Sequence, residues 1–133
     1  MLPAGEMPPR TLVLTSIRNF TVEIAQETDQ HVSIVSLKGR LDASTASSLD
    51  DVLSALVGSK ATQVLVDCRE LDYISSAGLR SLLSAAKQFK KISGQISLCS
   101  LSPNVKQVFE ISGFTSIFPI HAARDEALQS LKA

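Results

Sequence analysis

The sequence predicts a single α/β domain, in which a mixed, mostly parallel sheet of four to five strands is flanked by about four helices. Its 133 residues leave room for one ordinary domain. A hydrophobic fraction of 44% and a charged fraction of 20% are typical of a globular protein. After two opening strands, short apolar runs alternate with segments of helical period, which is typical of parallel strands joined by crossover helices.

The N-terminal segment 1–17 is predicted to precede the domain, which occupies residues 18–133. Its first ten residues contain three prolines and a glycine, a composition that favours a partly disordered tail. The last seven could form an edge strand, although their apolar side chains do not alternate cleanly. An antiparallel hairpin is predicted next, because apolar residues alternate over 20–24 and over 32–37, on either side of the polar stretch 27–30.

The first helix is predicted over 42–57 and should end at Gly58. Asp42 or Ser44 is expected to be its N-cap, because their side-chain oxygens can accept hydrogen bonds from the first free backbone N–H groups. Apolar residues at three- and four-residue spacing mark its inner face: Leu49, Val52, Leu53 and Leu56.

The central strand is predicted at 64–66, where an uninterrupted Val-Leu-Val run is typical of a strand covered on both faces. An acidic turn should follow it, and then a helix over 77–92 that Gly94 closes. The inner stripe of this helix is expected to consist of residues at helical spacing: Leu79, Leu82, Leu83, Ala86 and Phe89 or Lys90.

Two more strands and two more helices are predicted towards the C-terminus. A strand over 95–100 precedes Ser102 and Pro103, an N-cap followed by the first helical position, which proline favours. This helix should end at Gly113, and residues 114–120 should form a short strand. Spaced apolar residues predict a closing helix: Ala123, Ala127, Leu128 and Leu131.

The charge balance and the composition exclude several classes of function. The formal net charge is zero and the isoelectric point is near 6.7, so we expect no direct nucleic-acid partner. No apolar run approaches the length of a membrane span, so we expect no membrane partner. Cys68 and Cys99 have no paired spacing and are expected in the core of a cytoplasmic protein. The charge balance also fits a monomer.

Residue patterns typical of catalysis and metal binding are absent from the sequence. His31 and His121 have no Cys, Asp or His at metal-ligand spacing. The Gly-X-Ser-X-Gly elbow of serine hydrolases is missing, and no glycine-rich phosphate loop follows a strand. We therefore expect no catalytic residue, no metal ion and no cofactor.

The most informative stretch is 64–84, where a buried strand leads through Ser75 and Ser76 into a helix. Open α/β sheets place functional surfaces at the carboxyl ends of their strands. A phosphoryl group at a helix N-terminus would be stabilised by about 0.3 to 1 kcal/mol. This helix also carries basic residues without an intervening acid: Arg80, Lys87, Lys90 and Lys91.

A purely structural interpretation explains the same residues. Serine is a common N-cap, so Ser75 and Ser76 could serve only as caps, and the lysines could form an ordinary solvated face. Gly78 costs about 1 kcal/mol relative to alanine inside a helix. It therefore indicates that a large group approaches the backbone there, or that packing is close.

Three motifs closely resemble the STAS domain of bacterial anti-anti-sigma factors, and the resemblance covers about residues 20–132. It implies a single α/β domain that binds an anti-sigma factor serine kinase and is released when Ser76 is phosphorylated. Gly78 and Leu79 match the glycine and leucine of the family's pattern after that serine. The motifs are GRLDAST at 39–45, VLVDCRELDYISSAGLR at 64–80 and LCSLSPNVKQVFEISGF at 98–114.

The family pattern has an acid where this chain has Ser75 and a second hydroxyl where it has Ala77, so Ser75 is an alternative acceptor. The resemblance implies a PP2C-type phosphatase as a further partner, and a chain that is a substrate and not an enzyme. An alternative is an accessory subunit of a transport or lipid-handling system without a phosphoserine. The implied partner-binding residues are Asp42, Ser44, Thr45, Ser75, Ser76, Ala77, Gly78 and Arg80.

Overall fold

In the described part of the chain, six strands form one sheet, in which each strand lies beside its sequence neighbours. The computed structural model describes residues 14–15, 22–59 and 61–132. The first three strands pair antiparallel and the last four pair parallel, so the predicted mixed, mostly parallel sheet is confirmed. The strands are β1 Leu14–Thr15, β2 Val22–Asp29, β3 Val32–Leu41, β4 Gln63–Ile74, β5 Gln95–Cys99 and β6 Ile120–His121.

Four α-helices flank the sheet within the described residues. The first three connect successive parallel strands, as the alternation of apolar patterns predicts. Residues of these three helices share one hydrophobic cluster, whereas the fourth helix packs in a second cluster. Neighbouring residues of β4 belong to different clusters, so the two clusters lie on opposite faces of the sheet. The helices are α1 Ala46–Gly58, α2 Ser76–Lys91, α3 Pro103–Ile111 and α4 Arg124–Lys132.

The inner face of α2 differs in part from the predicted stripe. Leu79, Leu82 and Phe89 are buried as expected, whereas Lys90 is exposed. Buried positions also include residues that are small rather than strongly apolar: Gly78, Ser81 and Ala85. Leu83 and Ala86 are only half-buried, since α1 and the sheet contact the neighbouring side of the helix.

Strand β4 is much longer than the apolar run 64–66, and the predicted acidic turn after it is wrong. The strand continues through Asp67 and Glu70 to Ile74. Two register shifts, each of which adds one residue on β4, allow this twelve-residue strand to pair along the ten residues of β3. Glu70 lies opposite Lys38 on an exposed part of the sheet, where charged side chains remain solvated.

The predicted strand over 114–120 is also wrong for most of its length. Gly113 has a φ of 75°, in the left-handed region that glycine favours, and it ends the helical backbone of α3. Phe114–Ser116 then form a 3₁₀ turn, and only Ile120–His121 pair with β5. The ring centroids of Phe114 and Phe118 lie 6.3 and 6.1 Å from that of Phe109, and this packing folds the segment back.

Only Leu14–Thr15 of the N-terminal segment are described, and they pair antiparallel with β2 at the edge of the sheet. The rest of the segment 1–17 lies outside the described residues. The boundary at residue 18 therefore stays a prediction.

The N-cap of α3 is confirmed, since Ser102 Oγ accepts a hydrogen bond of 3.3 Å from the backbone N–H of Val105.

Ser97 in β5 should be replaceable by alanine with a gain in stability. Its side chain is fully buried opposite Leu65, and its hydroxyl oxygen has no hydrogen-bond partner in the described part of the chain. Burying an unpaired polar group costs about 1 to 3 kcal/mol. We expect Ser97→Ala to raise the free energy of unfolding in urea by about 1 kcal/mol, and the half-buried Ser33→Ala to change it little. A loss of stability in Ser97→Ala would contradict this expectation.

Candidate functional site

The junction of β4 and α2 gives the two neighbouring serines different environments. Ser75 is the N-cap of α2, and its Oγ accepts a hydrogen bond of 3.3 Å from the backbone N–H of Gly78. Ser76 is the first residue of the helix and is exposed. Among the described residues, the Ser76 hydroxyl makes no hydrogen bond. The structure therefore separates two hydroxyls that the sequence leaves as alternatives.

The loop between β3 and α1 is closed by its own polar side chains. Asp42 Oδ1 accepts hydrogen bonds from the Ser44 backbone N–H at 3.0 Å and the Ser44 hydroxyl at 2.7 Å. The Thr45 Oγ1 accepts from the Asp42 backbone N–H at 2.9 Å and donates to the Arg40 carbonyl at 2.9 Å. The hydrogen bond from Ser44 lowers the pKa of the Asp42 carboxyl. The loop is thus held in one conformation by local contacts.

The predicted N-cap of α1 is wrong. Thr45, not Asp42 or Ser44, occupies the cap position, and its side chain makes no cap hydrogen bond. The Asp42 carboxylate accepts hydrogen bonds from the Ser44 hydroxyl and the Ser44 backbone N–H, and it does not cap the helix. Asp42 therefore stabilises the loop, and α1 begins through backbone contacts such as the hydrogen bond from Ala46 N–H to the Asp42 carbonyl, 2.9 Å long.

Both loops meet at the carboxyl ends of two adjacent parallel strands. Leu41 and Ile74 are partners at the ends of β3 and β4. The Ser75 backbone N–H donates to the Leu41 carbonyl at 2.9 Å, which joins the loop after β3 to the start of α2. From the sequence, Ser75 and Ser76 are expected at this edge, and the family resemblance implies that the loop carrying Asp42 lies beside them.

Gly78 allows the start of α2 to pack closely against the ends of β3 and β4. A Cβ atom at Gly78 would lie 2.9 Å from both Ile74 Cγ1 and Leu41 Cγ, closer than real Cβ contacts. Gly78 itself is buried. Of the two explanations that the sequence offered for this glycine, close packing is the one that the structure supports.

The eight implied partner-binding residues divide by exposure. Thr45 is fully buried and Gly78 is buried, so both lie beneath the surface that a partner would reach, and their contact with a partner stays a prediction. In the structure they position the site: Thr45 hydrogen-bonds the loop backbone, and Gly78 leaves space for Leu41 and Ile74. Ser44, Ser76 and Arg80 are exposed, whereas the remaining members are half-buried: Asp42, Ser75 and Ala77.

An open groove of about 640 Å³ runs between α1 and α2 beside Ser76. Its floor contains small side chains such as Ala46, Ala77 and Ser81, while Asp50 of α1 and Arg80 of α2 contribute charge. Sequence reasoning identified the α2 side but missed α1. Small residues at 43, 46 and 47 were the available signal, although spacing alone could not place them against α2. We call the exposed atoms of Ser44, Ser76 and Arg80, with this groove, the Ser76 surface.

Other candidate chemistry is absent from the described residues. Cys68 and Cys99 are buried, which confirms their predicted place in the core, and burial raises the pKa of both thiols, to about 11 for Cys99. His31 Nε2 lies 2.9 Å from the Leu131 carbonyl oxygen, a structural contact at the end of α4. The described residues contain no group of three or more potential metal ligands. None of the described helices combines the length and apolar character needed to cross a membrane.

Removing the Asp42 carboxylate should loosen the loop after β3. We expect Asp42→Ala to speed hydrogen exchange at the Ser44 backbone N–H, which donates to that carboxylate. Asp42→Asn should retain most of the protection, because an amide oxygen can accept the same hydrogen bond. Folding lowers the pKa of the Asp42 carboxyl. The ionised carboxylate therefore contributes to the stability of the fold at neutral pH, and this contribution is lost as the pH falls below 3.8. Equal exchange rates in wild type and Asp42→Ala would contradict this role.

Comparison with known proteins agrees with this architecture. The STAS domain family model matches residues 23–127. A Bordetella bronchiseptica protein, BtrV, is named as an anti-sigma factor antagonist. It is 44% identical over 99 residues, which are 74% of this chain and 85% of that protein.

Solved structures share the fold. An anti-sigma factor antagonist from Mycobacterium paratuberculosis superposes with a TM-score of 0.78 at 23% identity, covering 84% of this chain and 95% of that one. The phosphorylated form of the Bacillus cell fate determinant SpoIIAA superposes with a TM-score of 0.66 at 21% identity, covering 80% and 97%. With the family match and the strand and helix order described above, these likenesses lead to one conclusion: the chain belongs to the STAS domain family.

Proposed function

We propose that this protein is an anti-sigma factor antagonist that acts as a phosphorylation-controlled interaction switch in the cytoplasm. In the unmodified state, the Ser76 surface binds an anti-sigma factor serine kinase and displaces the client that the kinase holds. Phosphorylation of Ser76 weakens this binding and releases the antagonist. The protein is then the substrate of the kinase and has no catalytic role of its own.

One observation carries the proposal: at the start of α2 in a STAS domain, the Ser76 hydroxyl is exposed and makes no hydrogen bond to any described residue. An acceptor hydroxyl has to reach the γ-phosphate of ATP in the kinase, which an exposed side chain can do. Ser75 is the weaker candidate, because its oxygen already accepts the Gly78 N–H and is half-buried. A relative that is 44% identical bears the name of an anti-sigma factor antagonist, which supports the choice of partner.

The proposed reaction is a phosphoryl transfer from ATP. The Ser76 Oγ forms a bond to the γ-phosphorus, the bond between that phosphorus and the β–γ bridging oxygen breaks, and ADP leaves. The hydroxyl proton passes to a base of the kinase or to solvent. A PP2C-type phosphatase would reverse the modification by hydrolysis, which returns the hydroxyl and releases inorganic phosphate.

Phosphorylation should change binding through charge without unfolding the domain. A phosphoserine adds about −1.5 to −2 charges at pH 7. At the first position of α2 this charge lies near the positive end of the helix dipole, which tolerates it. A partner that docks on the neutral hydroxyl would have to bury the new charge, which is unfavourable.

Incubation with the anti-sigma factor kinase and ATP, followed by mass spectrometry, tests the proposal. We expect one phosphate on Ser76 in wild type and in Ser75→Ala, and none in Ser76→Ala. Circular dichroism should confirm that both variants are folded. Phosphate on Ser75 alone would make Ser75 the acceptor. The absence of phosphate from both serines, with co-purification of transport subunits, would favour the accessory-subunit alternative.

A further inference from the structure

Arg80 is the basic side chain placed to contact a modified Ser76. Ser76 is the first residue of α2, and Arg80 follows four residues later in the same helix. Residues at this spacing are neighbours on the helix surface, about 6 Å apart along the axis. Helical side chains lean towards the N-terminus of their helix, so the long side chain of Arg80 can reach back over Ser76.

Arg80 carries no competing ion pair among the described residues. It is exposed, and the four ion pairs found there involve other side chains. The first turn of α2 contains no acidic residue. Asp50 of α1 lines the same groove, but no ion pair within 4.0 Å joins it to Arg80. The guanidinium is therefore available to a phosphate on the same helix.

Other cations are less well placed. The Arg40 guanidinium lies 4.3 Å from the centre of the Tyr73 ring. Arg40 also alternates with the core residue Leu41, so its side chain lies on the opposite face of the sheet from α2. Lys87 is eleven residues after Ser76, about 16 Å along the helix axis. That separation exceeds the screening length of about 8 Å at physiological salt.

We propose that Arg80 clamps the phosphate of phosphorylated Ser76 within the same chain. Guanidinium and phosphate can form two parallel hydrogen bonds, which a lysine ammonium cannot reproduce. The inference rests on the proposed function and extends it. Phosphorylation would add negative charge and would also withdraw a cation from the edge of the groove, so the partner would lose two features of the Ser76 surface at once.

Phosphorus NMR of a chain with phosphoserine inserted at position 76 during translation tests the clamp without a kinase. We expect the second pKa of the phosphate to be about half a unit lower in wild type than in Arg80→Gln. Lys87→Gln is the matched control and should behave as wild type. Arg80→Lys should restore part of the shift. The negative charges of Asp42 and Asp50 oppose the second ionisation of the phosphate equally in every variant, so the difference between variants reports the effect of Arg80.

Two results would overturn the clamp. One is the same second phosphate pKa in wild type and Arg80→Gln. The other is a rise of this pKa in Lys87→Gln as large as that in Arg80→Gln, which would indicate that the overall positive charge of the helix, and not a direct contact, lowers it. Circular dichroism of each variant checks that α2 remains helical. Because the phosphate is introduced by translation, failure of the clamp leaves the proposed function intact. Conversely, failure of a kinase to modify Ser76 would leave the NMR result unchanged.

Discussion

Replacing Gly78 by valine is expected to lower the free energy of unfolding by about 3 kcal/mol. The new Cβ would lie 2.9 Å from Leu41 Cγ and from Ile74 Cγ1, before the two γ-methyl groups of valine are added. Leu41 Cγ is the branch point of its side chain, and Ile74 Cγ1 is bonded directly to the branched Cβ. Both side chains are buried, so neither atom can move aside without shifting the strand that carries it. The same strand ends hold Ser75 and the loop after β3, so partner binding should weaken as well.

Gly58→Val is the matched control for this prediction. A Cβ at Gly58 meets no atom of the described residues within 4 Å, so we expect a change in the free energy of unfolding below about 0.5 kcal/mol. Urea denaturation of both variants measures the difference. In a Leu41→Ala background, Gly78→Val should cost less, because the side chain it contacts is shorter. Equal losses of stability at the two glycines would contradict the packing explanation for Gly78.

The order of the elements could be predicted from the sequence because the periods are local. The helical spacing of Leu49, Val52 and Leu53 places them on one buried face of α1. The Val64–Val66 run is buried between helices on both faces of the sheet. Ser102 and Pro103 mark the start of α3, because capping chemistry depends on residues three positions apart.

The errors arise where distant contacts decide the structure. The acidic residues after Val66 look like a turn, yet pairing with β3 keeps β4 extended to Ile74. The segment 114–120 has apolar residues suited to a strand. Phe114 and Phe118 pack on the ring of Phe109, however, and this packing bends the segment. Neither pairing partner can be identified from the local pattern.

The candidate site could be located from the sequence, but its residues could not be ranked. Motif positions and the strand ends indicate the edge where Ser76 lies. The separation of Ser75 from Ser76 depends on which serine caps α2, a difference of one residue that boundary predictions do not resolve. Thr45 is buried with its hydroxyl hydrogen-bonded to the Arg40 carbonyl, and the groove lies where α1 packs against α2; local spacing specifies neither contact.

Ser76→Asp is expected to weaken binding of the anti-sigma factor kinase about 100-fold, equivalent to about 2.8 kcal/mol. The aspartate would place a fixed charge on the exposed start of α2, where the proposed partner docks. Burying an unpaired charge in an interface costs about 2 to 5 kcal/mol. Ser75→Asp adds the same charge one residue earlier, where aspartate can replace the cap to the Gly78 N–H. It should bind within a few-fold of wild type.

Titration calorimetry of the kinase with wild type, Ser75→Asp and the chain carrying phosphoserine at position 76 is the most direct measurement. We expect tight binding for the first two and at least 100-fold weaker binding for the third. Circular dichroism should give the same helix content for all three. Equal affinity of the phosphorylated and unmodified chains would contradict the claim that partners distinguish the two states of Ser76.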